Sequence, residues 1–270
     1  KLITQFHLNP YEIPSDFDEF LAFETMNNRG KRLSHLELLK NRLIYLSTLY
    51  SEAEAPIDVK KDLREKINDA WKDVYLNLGR NKNHPLNDDD FLKAHWIMNF
   101  QYTRKKGDDY VHFLLNKQFS VETVLKKRPV EVHLETIDEV SDDDSSENEL
   151  IETNGTSLNS CELEPKEIEV YVNSLKESST SWYNTWFPLN NENIDPEISV
   201  WLDKLNRLPI YYCRPFVTAL LLRHDIQNSD KINILKELER YLFIAFRLSK
   251  TMSNSGSSEF YNAARQIYHK

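Results

Sequence analysis

Five glycines in 270 residues, set against thirteen tyrosines and thirteen phenylalanines, constrain this chain more than any other feature. Tight hairpins need residues that accept positive φ, and glycine does so without steric cost. A chain with so few, and rich in Leu, Lys and Glu, suits helices joined by short turns. The expected fold class is therefore mainly α, with a short extended piece at the N-terminal end. Apolar residues make up 40% of the sequence, enough for a sizeable core, and the length fits one large domain or two small ones.

Periodicity places the helices. After Ser34, Leu36, Leu39, Leu43 and Leu46 recur at helical intervals with Leu38 and Ile44 on the flanks. Ser34 followed three residues later by Glu37 has the spacing of a capping box. Further helices are expected over 60–78 and 89–102, the second behind HPLNDDD, whose aspartates suit a helix N-terminus. Another begins near Gly107, and 121–135 reads as helix followed by a short strand. Helices are also expected over 165–178, 215–223, 231–249 and 259–270; the second half of 231–249, YLFIAFRLS, is too apolar to face water. Residues 1–13 read as an extended, β-prone piece and 17–26 as a helix capped by Ser15 or Asp16.

Composition breaks at 138–164, where ten acidic residues stand with no Lys or Arg. Such a stretch buries little apolar surface and reads as a mobile acidic loop interrupting a helical domain. The formal charge of −9 does not suit a uniformly basic nucleic-acid surface but leaves room for a local one, for instance Lys105, Lys106, Lys117, Lys126, Lys127 and Arg128. Two cysteines, Cys161 and Cys213, are too few for a disulfide framework, so a cytoplasmic location is expected. The most apolar runs are too short or too interrupted to span a bilayer. The first residue is Lys1 rather than Met, which reads as a piece of a longer protein.

The turn Asn27-Asn28-Arg29-Gly30-Lys31 concentrates hydrogen-bonding groups ahead of the Ser34 helix. Gly30 permits positive φ and close backbone approach, and either asparagine tolerates left-handed geometry. A plain helix–helix turn accounts for these. Arg29 and Lys31 beside a helix N-terminus also make an anion site, with Lys40 and Asn41 one to two turns further on. Six other histidines, His84, His95, His112, His133, His224 and His269, are scattered without metal-ligand spacing.

The stretch FETMNNRGKRLSHLELLKNRLIYLS resembles the signature of a large bacterial family, the N-terminal domains of GmrSD-type modification-dependent restriction and phage-defence proteins. DDDFLKAHWI, VYVNSLKESSTSWYNTW and LPIYYCRPFVTALLL extend the likeness over most of the chain. The resemblance implies that residues 1–47 are the C-terminal part of a ParB-like α/β nucleotide lobe and 48–270 a helical domain. It implies binding or hydrolysis of a nucleoside triphosphate with Mg²⁺. Arg29 and Glu24 would carry the catalytic roles, and Asn28, Arg29, Gly30, Lys40 and Asn41 would hold the nucleotide; no metal ligand is assigned. The family's Asp-Gly-Gln-Gln-Arg box is absent, since it would precede this chain. The implied partners are modified DNA, a nuclease domain or subunit, and a second copy of the chain; no membrane is implied.

The alternative is a non-catalytic helical module that binds DNA or protein. On that reading Trp182, Tyr183, Trp186 and Phe187 either stack on a base or wedge between helices.

Overall fold

The computed structural model describes residues 33–100, 109–126, 161–191, 193–208, 211–249 and 256–270. Helix α1 (His35–Leu49) starts at the expected capping box. Ser34 Oγ accepts from the Glu37 N–H at 3.2 Å, and the Glu37 carboxylate accepts from the Ser34 N–H at 2.9 Å. Both amides would otherwise be orphaned at the helix start. Leu36, Leu39, Leu43 and Leu46 are buried along one face.

Helix α2 (Ile57–Leu78) buries Leu63, Ile67, Trp71, Val74 and Leu78 at the same period. The Trp71 indole donates to Leu36 O at 3.1 Å and locks α2 to α1. Helix α3 (Asp88–Asn99) is capped by Asn87, whose side chain accepts from the Asp89 and Asp90 N–H groups. Asp89 also accepts from the His35 N–H at 2.7 Å, tying the first turns of α1 and α3. Two short helices, α4 (Asp109–Phe113) and α5 (Val121–Leu125), flank a π-helical turn at Leu114–Gln118.

Helix α6 (Pro165–Trp186) runs well past the 165–178 that the sequence predicts. Its C-terminal half is full of Ser and Thr, weak helix formers whose hydroxyls compete for backbone groups. Here Ser174, Ser179 and Thr185 donate back to carbonyls three residues earlier within the helix. Packing of α6 along α2 supplies what propensity lacks. The two helices are pinned by Lys66–Glu169 and Lys176–Asp73 ion pairs and by Asn77 Nδ2 donating to Ser179 Oγ at 2.8 Å.

Helices α7 (Pro196–Asn206), α8 (Arg214–Leu222), α9 (Asn228–Leu242) and α10 (Ser257–Tyr268) complete the order. Asp195 caps α7 by accepting from the Glu197 and Ile198 N–H groups. Gly256 before α10 has φ +79°, the left-handed conformation that side chains rarely adopt. One core gathers the buried faces of α1, α2, α3 and α6, and Ala219 and Ala264 join it from α8 and α10. A second lies between α7, α8 and α9 around Leu202, Leu220 and Leu235. Phe216 packs against both, so α8 is shared.

The mainly α expectation holds, and among the described residues there is no β-strand, so the ParB-like α/β lobe has no counterpart there. The extended piece at 1–13, the helix at 17–26 and most of the acidic stretch lie outside the described residues. At the end of that stretch, Cys161 and Leu163 are buried. One expectation is overturned. The run after α9 forms a π-helical segment, Phe243–Leu248, that buries no residue, and Phe243, Ile244 and Leu248 are exposed. Hydropathy alone could not reveal this, because it does not distinguish an α-helical path from a π-helical one.

Candidate functional site

Trp182 and Trp186 lie four residues apart near the end of α6 and so share a face. Their rings meet edge-on at 6.0 Å. Facing them is the start of α8, where Tyr211 and Tyr212 precede Arg214 and Pro215. With Asp90 and Lys93 from α3 and Tyr261 from α10, these residues enclose a cleft of about 430 Å³. The Tyr211 ring lies nearly parallel to that of Trp186, at 18° and 5.6 Å between centres.

Arg214 is the centre of this arrangement. Its side chain runs beneath Trp186 with Cζ 3.5 Å from the ring centre, a cation–π contact. Nη1 donates to Thr185 O at 2.9 Å and Nη2 to Asn206 Oδ1 at 3.0 Å. Asn206 in turn donates to Trp186 O at 3.1 Å. Thr185 and Trp186 are in the last turn of α6, where carbonyls lack helical partners and the dipole favours a cation. Arg214 thus has a structural role as a cross-chain cap. That role does not satisfy it fully. The side chain is only 6% exposed, and no carboxylate among the described residues pairs with it. Burial pulls its pKa down to about 10, so it stays charged at neutral pH.

Arg214 Nε and the indole nitrogens of Trp182 and Trp186, on side chains that line the cleft, are themselves buried from solvent and have no hydrogen-bond partner among the described residues. Buried polar groups are nearly always paired, so three unpaired donors around one cleft ask for an explanation. Lys93 and Asp90 are exposed. The lining therefore carries two cations and one carboxylate, a single net positive charge. Cations, N–H donors and ring faces are the chemistry of recognition.

Of the residues expected to act from the sequence, only Lys40 and Asn41 fall among the described residues. Glu24, Asn28, Arg29 and Gly30 lie outside the described residues. Lys40 and Asn41 are half-buried on α1 and do not line the cleft. Of the basic cluster, only Lys117 and Lys126 fall among the described residues. The aromatic group divides: Trp182 and Tyr183 are wedged into the packing, and Trp186 is half-buried at the cleft. Arg214 and Tyr211 were not singled out. Their signal was an arginine inside a long apolar run, YYCRPFVTALLL, where a charge has no amphipathic reason to stand.

The reading as a nucleotide-hydrolysing or nuclease-type restriction and antiviral defence protein is corrected. The described residues form helices without a sheet, and among them no three His, Cys, Asp or Glu side chains are placed to hold a metal ion. Phosphoryl transfer and nuclease chemistry rely on such metal-centred or phosphate-cradling frames. Both cysteines are buried and form no disulfide with each other, and no helix among the described residues is long and apolar enough to cross a membrane.

Fold and cleft together define a helical protein with a cleft lined by an arginine and aromatic rings. Compared with family models, curated proteins and solved structures, the chain matches none.

Proposed function

We propose that this chain is a binding module, without catalysis of its own, that takes an acidic group of a protein partner into the cleft around Arg214. The observation that carries the reading is the lining of the cleft, where Lys93 and Arg214 stand with five aromatic rings against the single carboxylate of Asp90. An acidic group entering there would meet the exposed Lys93 ammonium, and charge-assisted hydrogen bonds are the strong kind. A protein partner fits better than DNA on charge. The chain carries a net −9, and the single net positive charge of the cleft suits one carboxylate rather than a run of phosphates.

The test is a pair of selections on the full chain, one from a random peptide library and one from random double-stranded DNA. Enriched peptides that lose binding to Tyr211→Ala support the reading. Tyr211 is 55% exposed at the rim, so its removal leaves the fold intact. Enrichment of DNA, or of peptides indifferent to Tyr211→Ala, overturns it.

A further inference from the structure

We infer that the outward face of α9, continued by the π-helical segment after it, is a contact between two copies of this chain, which pair antiparallel about a two-fold axis near Leu242. This face is separate from the cleft around Arg214 and stands independently of the protein-binding reading.

Helical spacing builds the face. Glu237, Tyr241 and Ile244 stand four and three residues apart and so form one stripe, which Leu248 continues at the next, wider turn. Leu235, Leu238 and Leu242 turn the other way, into the core shared with α7 and α8. Tyr241, Phe243, Ile244 and Leu248 are left 44–65% exposed, four large apolar side chains on one short stretch of helix. Scattered apolar residues on a surface are ordinary, but a contiguous patch marks a place where something docks.

Charge selects the occupant. Between Glu237 and Leu248, Glu239 and Glu237 stand with Arg240 and Arg247, so the patch carries no net charge. Lys236 turns aside to pair with Glu197 of α7. An anionic lipid surface or a nucleic acid calls for an excess of cations, which this face lacks. The order of the charges points to a second copy. A glutamate opens the stripe and an arginine closes it, on either side of Leu242 and equally far from it. Turning a copy end for end about that point sets Glu237 of each chain against Arg247 of the other and closes the Tyr241 and Ile244 side chains between them. A parallel pairing would set like charges together. A two-fold contact requires this self-complementarity, because each pairing occurs twice with the roles exchanged. A patch of one helix is a small contact, so the dimer exchanges with monomer, with a Kd on the order of 10 μM.

The experiment is sedimentation velocity of the full chain at low salt, from about 1 to about 300 μM, a range that brackets that Kd. The wild type, Ile244→Asp, Glu237→Lys, Arg247→Glu and an equimolar mixture of the last two are compared. The wild type is expected to pass from monomer to dimer across the range. Ile244→Asp should weaken association at least about tenfold while far-ultraviolet dichroism stays unchanged. Each charge reversal should weaken it roughly three- to tenfold, since like charges then meet at both ends of the contact. The mixture should recover wild-type affinity, because the two reversals are opposite and each end again pairs unlike charges. A wild type that stays monomeric throughout overturns the inference, and so does a dimer indifferent to Ile244→Asp. If the mixture associates no better than either variant alone, the antiparallel pairing falls, whatever Ile244→Asp does to the fold. Pelleting of a monomeric wild type with phosphatidylserine-rich vesicles, lost in Ile244→Asp, would assign the face to lipid and equally overturn the inference.

Discussion

Burying a guanidinium with no carboxylate among the described residues to pair it carries a desolvation penalty that Arg214 recovers only in part from Thr185 O, Asn206 and the Trp186 face. Replacing it with an apolar side chain of similar length removes the penalty and orphans two acceptors, so the two effects oppose each other. Arg214→Met should therefore lower unfolding stability by less than about 2 kcal/mol in urea while abolishing ligand binding. A loss well beyond that would make Arg214 a structural cap and nothing more. His95 is the other residue whose environment dictates behaviour. It is fully buried among Phe91, Tyr171 and Tyr268, and burial drives its pKa down to about 3. Asn99 Nδ2 donates to His95 Nε2 at 3.1 Å, and Ser174 Oγ lies 3.0 Å from the same nitrogen. The folded state thus holds the imidazole neutral, whereas the unfolded chain protonates near pH 6.5. Stability is then full above pH 6.5 and lost as pH falls toward 3, at a slope of up to about 1.4 kcal/mol per pH unit. Urea midpoints measured from pH 7.5 to 5 should show this slope in the wild type and a flatter line in His95→Gln.

At the scale of elements, helix starts are governed by local chemistry and helix extents by packing. The α1 capping box is the clearest local device: Ser34→Ala should cost about 1 kcal/mol, read as a shift in the urea midpoint at unchanged slope. Glu37→Ala in the Ser34→Ala background should add little further, because the two side chains act as one unit. In contrast, α6 reaches Trp186 against the preference of its Ser- and Thr-rich half because α2 and α8 hold it there. That extension matters for the site. Were α6 to end near residue 178, neither Trp186 nor the Thr185 carbonyl would stand where Arg214 meets them. The segment Phe243–Leu248 shows the opposite case, an apolar run whose π-helical path leaves it exposed.

For the molecule as a whole, α8 decides cooperativity. Its Ala219 belongs to the core of α1, α2, α3 and α6, while Val217 and Leu220 belong to the core of α7 and α9. Loosening either core should therefore unsettle the other. Leu43→Ala and Leu235→Ala, both at fully buried leucines in different cores, should each lower stability by roughly 2–5 kcal/mol. Each should keep a single transition, with near- and far-ultraviolet dichroism coinciding. Two separated transitions in either variant would show that the cores unfold independently.

The helical class, the Ser34–Glu37 cap, the acidic first turn of α3 and the leucine face of α1 were legible because each depends on residues within a turn or two of one another. Side-chain caps and the 3.6-residue period are local physics, and they act before any tertiary contact forms. The cleft was not legible, because α3, α6, α8 and α10 bring its residues together from distant parts of the chain. Trp182 and Trp186 stood out as aromatics, yet whether they wedge or recognise depended on which face α8 presented to them. Arg214 reached its place beneath Trp186, with no carboxylate paired to it among the described residues, only on folding. Burial and the absence of a counter-charge are properties of a three-dimensional neighbourhood, and only the tertiary structure decided them.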